Sequence, residues 1–123
     1  MLTTGIDAVE IDRIEGVLGR HGQRFLNRVF TPAEIGHCGG RARDLAARFA
    51  AKEAISKALG TGMHGVRWRD MEVVSDRRGK PHVRLHGSAK ARAEELGIQD
   101  LAISLTHSRD LAIATVVGNA KRI

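Results

Sequence analysis

An alanine-rich segment from Arg43 to Leu59 is the feature that most constrains how this chain can fold. It contains six alanines and is followed directly by Gly60-Thr61-Gly62. Helices commonly end where a glycine adopts the left-handed conformation, so the sequence predicts one helix over 43–59. Small or apolar residues occur on both sides of that helix, which is typical of a helix buried in a core.

Two charged residues, Glu53 and Lys57, lie on an apolar side of this predicted helix. At about 100° per residue they share a stripe with Ala46 and Ala50. We therefore expect both side chains to lie among packed neighbours, where an unpaired charge is costly. The polar surface that remains is a narrow strip: Arg48, Lys52 and Ser56.

Length and composition indicate a small protein without membrane-spanning segments. The 123 residues fit a single domain over 1–123, and the apolar content of 42% is ordinary for a globular protein. No apolar run is long enough to cross a bilayer, and the N-terminus lacks a signal-peptide pattern. Cys38 is the single cysteine, which excludes an internal disulfide. We expect a cytoplasmic protein with no membrane partner.

The charge favours an anionic partner. Twenty Lys and Arg against fourteen Asp and Glu give a formal net charge of +6 and a pI near 10.4. Nucleic acid is the usual partner of a small basic domain, but three Phe, one Trp and no Tyr offer few surfaces for stacking bases. An acidic protein or a phosphate-bearing small molecule fits at least as well. A nucleic-acid-binding module without catalysis is the alternative.

The N-terminal half predicts one strand followed by helices. Alternation over 5–11 places Asp7 on the same face as Val9 and Ile11. Asp12 is the expected cap of a following helix, and a second short helical segment is expected at 22–28. Thr31-Pro32-Ala33-Glu34 has the capping-box pattern of a helix start, and Gly39-Gly40 separates that helix from the long one.

The C-terminal half predicts antiparallel strands with one inserted helix. Strands are expected over 68–75 and 81–86 around a turn, and a hairpin over 101–106 and 111–117. Ser88 is the expected cap of a helix that ends at Gly97. The fold class is α+β, with a mostly antiparallel sheet packed against one long helix and shorter helices.

Asp7 and Glu53 are the two acids whose predicted positions conflict with their apolar surroundings. Each could form an ordinary ion pair with one of the many arginines. Two acids that converge instead form a hard-oxygen site suited to Mg²⁺, which usually binds one or two carboxylates together with phosphates and waters. The ammonium group of Lys57, one turn after Glu53, would stabilise negative charge on a phosphate. The alternative is that Lys57 forms an ordinary i,i+4 ion pair with Glu53. His107, at a predicted strand end, is a weaker candidate for a phosphate contact.

Five segments, in order, resemble bacterial holo-acyl-carrier-protein synthase, the small 4′-phosphopantetheinyl transferase. They cover nearly the whole chain, and any one of them alone would be weak. The segments are Gly5-Ile6-Asp7 with Val9-Glu10-Ile11 and Arg13, Phe30 to Glu34, Arg48 to Gly62, Gly79-Lys80-Pro81, and Ser104 to Ser108.

The resemblance implies transfer of 4′-phosphopantetheine from coenzyme A to a serine of apo-acyl carrier protein. Adenosine 3′,5′-bisphosphate is released, and the reaction supports fatty acid biosynthesis. Asp7 and Glu53 correspond to the family's Mg²⁺ ligands, and Lys57 to the lysine that meets the diphosphate; these three are the expected catalytic residues. Segments that contact coenzyme A in the family contain Arg48, Gly79, Lys80, Pro81 and His107, beside Lys57.

The resemblance also implies partners. Family members present a basic helical segment to acidic acyl carrier protein and form homotrimers with each site at a subunit boundary. An inactive relative that binds coenzyme A is a further possibility, although the motif positions carry usable residues. The general base, the choice between Mg²⁺ and Mn²⁺, and the accepted carriers stay open. The expected carrier contacts are Arg13, Arg20, Arg24 and Arg28.

Overall fold

The protein, in a computed structural model that describes residues 1–62 and 64–121, is an α+β fold with two antiparallel sheets. The first sheet has the order β1-β5-β4, and the second is the hairpin β2-β3. No helix of the described residues is long and apolar enough to cross a membrane. The elements are β1 (Leu2–Glu10), α1 (Ile11–Val29), α2 (Pro32–Cys38), α3 (Ala42–Ala58), β2 (Met71–Ser75), β3 (Pro81–Leu85), α4 (Gly87–Glu95), β4 (Ile98–His107) and β5 (Leu111–Ala120).

Helix α3 is the centre of the core, as its composition predicts. It packs across β1 and β5 on one side and against α2 and β2 on the other. Its alanines between Ala46 and Ala58 are buried, and their small side chains allow the neighbouring backbones to approach closely. Gly60 has a φ of 73°, so the predicted glycine stop is confirmed.

The predicted exposure of the α3 side chains is wrong in two respects. Arg48, Lys52 and Ser56, expected to face water, are buried, because α2 and β2 form a second layer over that strip. Lys57 is instead exposed and Glu53 is half-buried. The charged residues of the candidate site therefore lie at the accessible margin of the helix.

Several local predictions are confirmed and others need correction. Thr31 and Glu34 form the complete capping box of α2. Helix α1 runs from Ile11 to Val29 with a kink at Gly22, so the segment predicted at 22–28 is its second half. Asp12 lies inside the first turn of α1 and is not its cap.

The beginnings of β2 and α4 also differ from prediction. Residues Trp68–Asp70 form a 3-10 turn, so β2 begins only at Met71. Helix α4 begins after His86, and Ser88 lies within its first turn. The carboxylate of Asp70 accepts hydrogen bonds from both the backbone N–H and the hydroxyl of Ser88, at 2.9 and 2.7 Å. The Asp70 carboxylate, which is distant in sequence, therefore caps the start of α4 in place of the predicted Ser88.

Candidate active site

The contact between β1 and α3 brings Asp7 and Lys57 together. The inward face of β1 carries Gly5, Asp7 and Val9, which confirms the predicted alternation. Because β1 is an edge strand, the Lys57 side chain can reach around it. Its Nζ donates to the Ile6 carbonyl at 2.8 Å and lies 3.3 Å from Asp7 Oδ1.

Glu53 lies in the same electrostatic environment. Burial raises the pKa of its carboxyl, and the nearby Asp7 carboxylate raises it further. The charges of Lys57 and Arg13 oppose that rise only in part. Among the described residues, no side chain forms an ion pair or hydrogen bond with the Glu53 carboxylate. The site therefore contains two carboxylates in mutual repulsion, of which one lacks a direct partner.

This donor set fits a divalent cation that also binds a substrate. Mg²⁺ prefers oxygen ligands and usually takes one or two carboxylates along with waters and substrate phosphates. In residues 1–62 and 64–121 no group of three or more His, Cys, Asp or Glu side chains converges, so the protein alone offers no complete metal cage. A cavity of about 430 Å³ beside the site is lined by Thr4, Gly5, Ile6, Lys57 and Thr115.

Arg48 belongs to a different group of residues. It is 5% exposed and donates to Ser75 Oγ at 3.0 Å, while its Nε has no hydrogen-bond partner. Over the described part of the chain its guanidinium forms no ion pair with a carboxylate. A buried cation without a counter-ion is costly, which makes Arg48 a candidate for binding an anion.

The turn after Ser75 holds the next three candidates, Gly79, Lys80 and Pro81. Asp76 organises this turn, because its Oδ1 accepts from the backbone N–H of Arg78 at 2.8 Å and of Lys80 at 3.0 Å. Gly79 has a φ of 83°, which the turn requires. The Lys80 side chain is exposed at the tip.

His107 lies apart from Asp7 and Glu53 in the chain. It pairs with Ala112 on β5, which in turn pairs with Val9 on β1. His107 is thus two strand spacings, roughly 10 Å, from β1. The structure brings Asp7, Glu53 and Lys57 together within one chain, and leaves His107 separate from them.

The outer side of α1 is basic. The four expected carrier contacts are all exposed, and none of them forms an ion pair within the described residues. A groove of about 310 Å³ along the helix is lined by Val17, His21, Arg24, Phe25 and Arg28. Arg28 also lines a neighbouring cavity of about 670 Å³, whose other basic residues are Arg67, Arg69 and His86. This basic surface is continuous with the α1 groove.

Two features of the elements that carry the site were missed from sequence. Gly5 is buried against α3, and a glycine inside a strand is a signal of close backbone approach. Lys52, expected to face water, forms a buried ion pair with Glu34 at 2.8 Å. No local pattern marks that pair, because its members are 18 residues apart.

Comparison with known proteins agrees with this arrangement. The family model described as the 4′-phosphopantetheinyl transferase superfamily matches residues 3–116. The holo-[acyl-carrier-protein] synthase of Herpetosiphon aurantiacus is 54% identical over 125 residues, covering 96% of this chain and 98% of that protein. The protein of the same name from Solibacter usitatus is 48% identical, covering 93% and 94%.

A solved structure shows the same architecture. The crystal structure of Helicobacter pylori holo-[acyl-carrier-protein] synthase in complex with coenzyme A superposes with a TM-score of 0.87 at 35% identity. It covers 94% of this chain and 99% of that one. The chain therefore belongs to the holo-[acyl-carrier-protein] synthase family of 4′-phosphopantetheinyl transferases.

Proposed function

We propose that the chain is one catalytic domain, residues 1–123, that transfers 4′-phosphopantetheine from coenzyme A to a serine of an apo-acyl carrier protein. The convergence of Asp7, Glu53 and Lys57 is the observation that carries this proposal. Relatives named holo-[acyl-carrier-protein] synthase and a structural neighbour bound to coenzyme A support it. The further proposals are a role in fatty acid biosynthesis and a cytoplasmic location.

In the proposed reaction the serine hydroxyl attacks the β-phosphorus of coenzyme A. The bond from that phosphorus to the bridging oxygen breaks, and adenosine 3′,5′-bisphosphate leaves with the bridging oxygen. Asp7 and Glu53 would hold Mg²⁺, which when bound would neutralise charge on the diphosphate. The Lys57 ammonium would add a second positive charge beside the leaving oxygen. A carboxylate of the Asp7–Glu53 pair would accept the serine proton, directly or through a water.

The nucleotide half of coenzyme A is proposed to bind at Arg48, Gly79, Lys80, Pro81 and His107. The buried Arg48 guanidinium, whose Nε has no hydrogen-bond partner among the described residues, supports an anionic group there. His107 is about 10 Å from β1 in the same chain, so we propose that residues from two subunits complete each site.

The assembly that we propose is a homotrimer with sites at its subunit boundaries. The outward face of β1 and β5 carries Leu2, Ile6 and Val117, which are 71, 62 and 42% exposed. Exposed apolar side chains grouped on one sheet face are typical of a protein–protein interface. This face is the proposed contact between copies of the chain.

The carrier protein is proposed to dock on α1. Its arginines at 13, 20, 24 and 28 complement an acidic protein, and Phe25 adds apolar surface in the same groove. Nucleic acid fits less well, because the four aromatic side chains pack on one another, with Phe25 5.7 Å from Phe30 in an edge-to-face pair. Phe25 lies 6.1 Å from Phe49, and Phe49 stacks on Trp68 at 4.9 Å.

The proposal is tested by incubating the protein with coenzyme A, Mg²⁺ and an apo-acyl carrier protein. We expect the carrier to gain one phosphopantetheine group and the solution to gain an equal amount of adenosine 3′,5′-bisphosphate. Asp7→Asn and Lys57→Met should reduce both products together, while Lys90→Met on α4 serves as the matched control. Bisphosphate release without carrier modification would contradict the transfer.

A further inference from the structure

Gly5 lies where β1 approaches α3 more closely than any side chain allows. A Cβ atom built on Gly5 would be 1.9 Å from the Ala54 carbonyl oxygen and 3.1 Å from the Ala58 nitrogen. Real Cβ atoms essentially never come within 3.0 Å of another heavy atom, and both of these neighbours are helix backbone. Any side chain at this position would therefore force the strand and the helix apart by at least about 1 Å.

The contact lies next to the candidate site in both elements. Ala54 directly follows Glu53, and Asp7 is two residues after Gly5 on the same strand face. Two hydrogen bonds hold the strand on either side of Gly5: the Thr3 hydroxyl donates to the Ala58 carbonyl at 2.7 Å, and Lys57 donates to the Ile6 carbonyl at 2.8 Å. The strand that carries Asp7 and the helix that carries Glu53 are therefore in direct backbone contact at Gly5.

We propose that Gly5 is a positioning residue that sets the gap between Asp7 and Glu53 to the width required by a divalent cation. This inference rests on the proposed function. Mg²⁺ demands nearly ideal octahedral geometry with oxygen distances of about 2.1 Å, so it tolerates little change in that gap. A misplacement of about 1 Å can reduce a catalysed rate roughly a hundredfold.

Gly5→Ala tests the proposal, with Gly36→Ala as the control. Gly36 is exposed on α2 and has no positive φ, and a Cβ added there would meet nothing within 4 Å beyond its own chain neighbours and helix backbone. The control therefore adds the same methyl group without touching β1, α3 or the hydrogen bonds that join them.

Two quantities are measured on each folded variant. The first is Mn²⁺ binding in the presence of coenzyme A, from the electron paramagnetic resonance of free Mn²⁺. The second is the Mg²⁺ concentration that gives half the maximal transfer rate. Gly5→Ala is expected to weaken Mn²⁺ binding and raise the Mg²⁺ requirement by at least about tenfold, with Gly36→Ala at the parent values.

A folded Gly5→Ala protein that binds Mn²⁺ as the parent does would overturn the proposal. If the parent itself binds no Mn²⁺ and transfers without a divalent cation, the metal role in the proposed function fails instead. If Gly5→Ala does not fold, Thr3→Val loosens the same contact by removing the hydrogen bond to Ala58 without adding bulk. Weaker Mn²⁺ binding in Thr3→Val is then the expected result, and unchanged binding refutes the inference.

Discussion

Replacing Lys52 by methionine is expected to destabilise the fold strongly, although Lys52 contacts none of the candidate catalytic side chains. Both Lys52 and Glu34 are fully buried, and their ion pair joins α3 to α2 at 2.8 Å. Lys52 Nζ also donates to the carbonyls of Trp68 at 3.0 Å and Met71 at 2.8 Å. Glu34 accepts in addition from the backbone N–H of Val73 at 3.1 Å. This network ties the second layer to the side of α3 opposite β1.

The magnitude follows from what Lys52→Met leaves behind. Methionine fills most of the space, but the Glu34 carboxylate and two buried carbonyls lose their donor. Removing one partner of a buried ion pair costs about 3–5 kcal/mol. At roughly 4 °C per kcal/mol for a domain of this size, the melting temperature should fall by about 10–20 °C.

The dependence of each partner on the other is tested by a double-mutant cycle. Burial lowers the pKa of Lys52 and the Glu34 carboxylate opposes that shift, so Lys52 depends on Glu34 to remain charged. Glu34→Gln is therefore also destabilising, and the double variant should cost about 1–3 kcal/mol less than the sum of the single changes. Urea unfolding followed by circular dichroism measures the free energy of unfolding of the two single variants and the double variant, with the exposed Lys90→Met as control. A Lys52→Met protein as stable as the parent, or strict additivity, would refute this reasoning.

Two further predictions concern the site and the carrier surface. Glu53→Gln should abolish transfer yet stabilise the metal-free protein at neutral pH. Burial and the Asp7 carboxylate raise the pKa of Glu53 in the folded state, so the folded protein binds this proton more readily than the unfolded chain does. The parent protein therefore loses stability as the pH rises from the ordinary pKa of about 4.3 through the raised value, and the glutamine variant avoids that loss. Urea midpoints across that pH range check this, and a Glu53→Gln protein less stable than the parent at neutral pH would count against it. Arg24→Glu should raise KM for an acidic carrier by about tenfold or more, with KM for coenzyme A unchanged and the effect smaller at high salt. Equal KM values for the carrier at low salt would contradict the docking surface.

The long helix and the inward placement of Asp7 could be predicted from sequence because both depend on local pattern. The alanines before Gly60 identify a buried helix, and alternation in β1 places Asp7 on its inward face. The conflict between an acidic residue and an apolar face therefore identified Asp7 and Glu53 as candidate site residues. Glu53 is close enough to Asp7 for that carboxylate to raise its pKa, which agrees with the converging acids and not with the alternative of two separate ion pairs to arginines.

The burial of Lys52 could not be predicted in the same way. Helical periodicity shows which residues share a side, but not which layer covers that side. The strip with Lys52 is covered by α2 and β2, and its partners Glu34 and Met71 are 18 and 19 residues away in sequence. Similarly, Asp70 replaces the local cap predicted at Ser88 through a contact 18 residues distant. Both errors arise from long-range contacts.

The most direct test of the central claim is the intact mass of an apo-acyl carrier protein incubated with this protein and coenzyme A, with Mg²⁺ or with excess EDTA. We predict that the carrier gains one phosphopantetheine group on its serine with Mg²⁺, that EDTA prevents the gain, and that Glu53→Gln prevents it even with Mg²⁺. An unmodified carrier in the presence of Mg²⁺, or equal modification by the parent and Glu53→Gln proteins, would contradict the account.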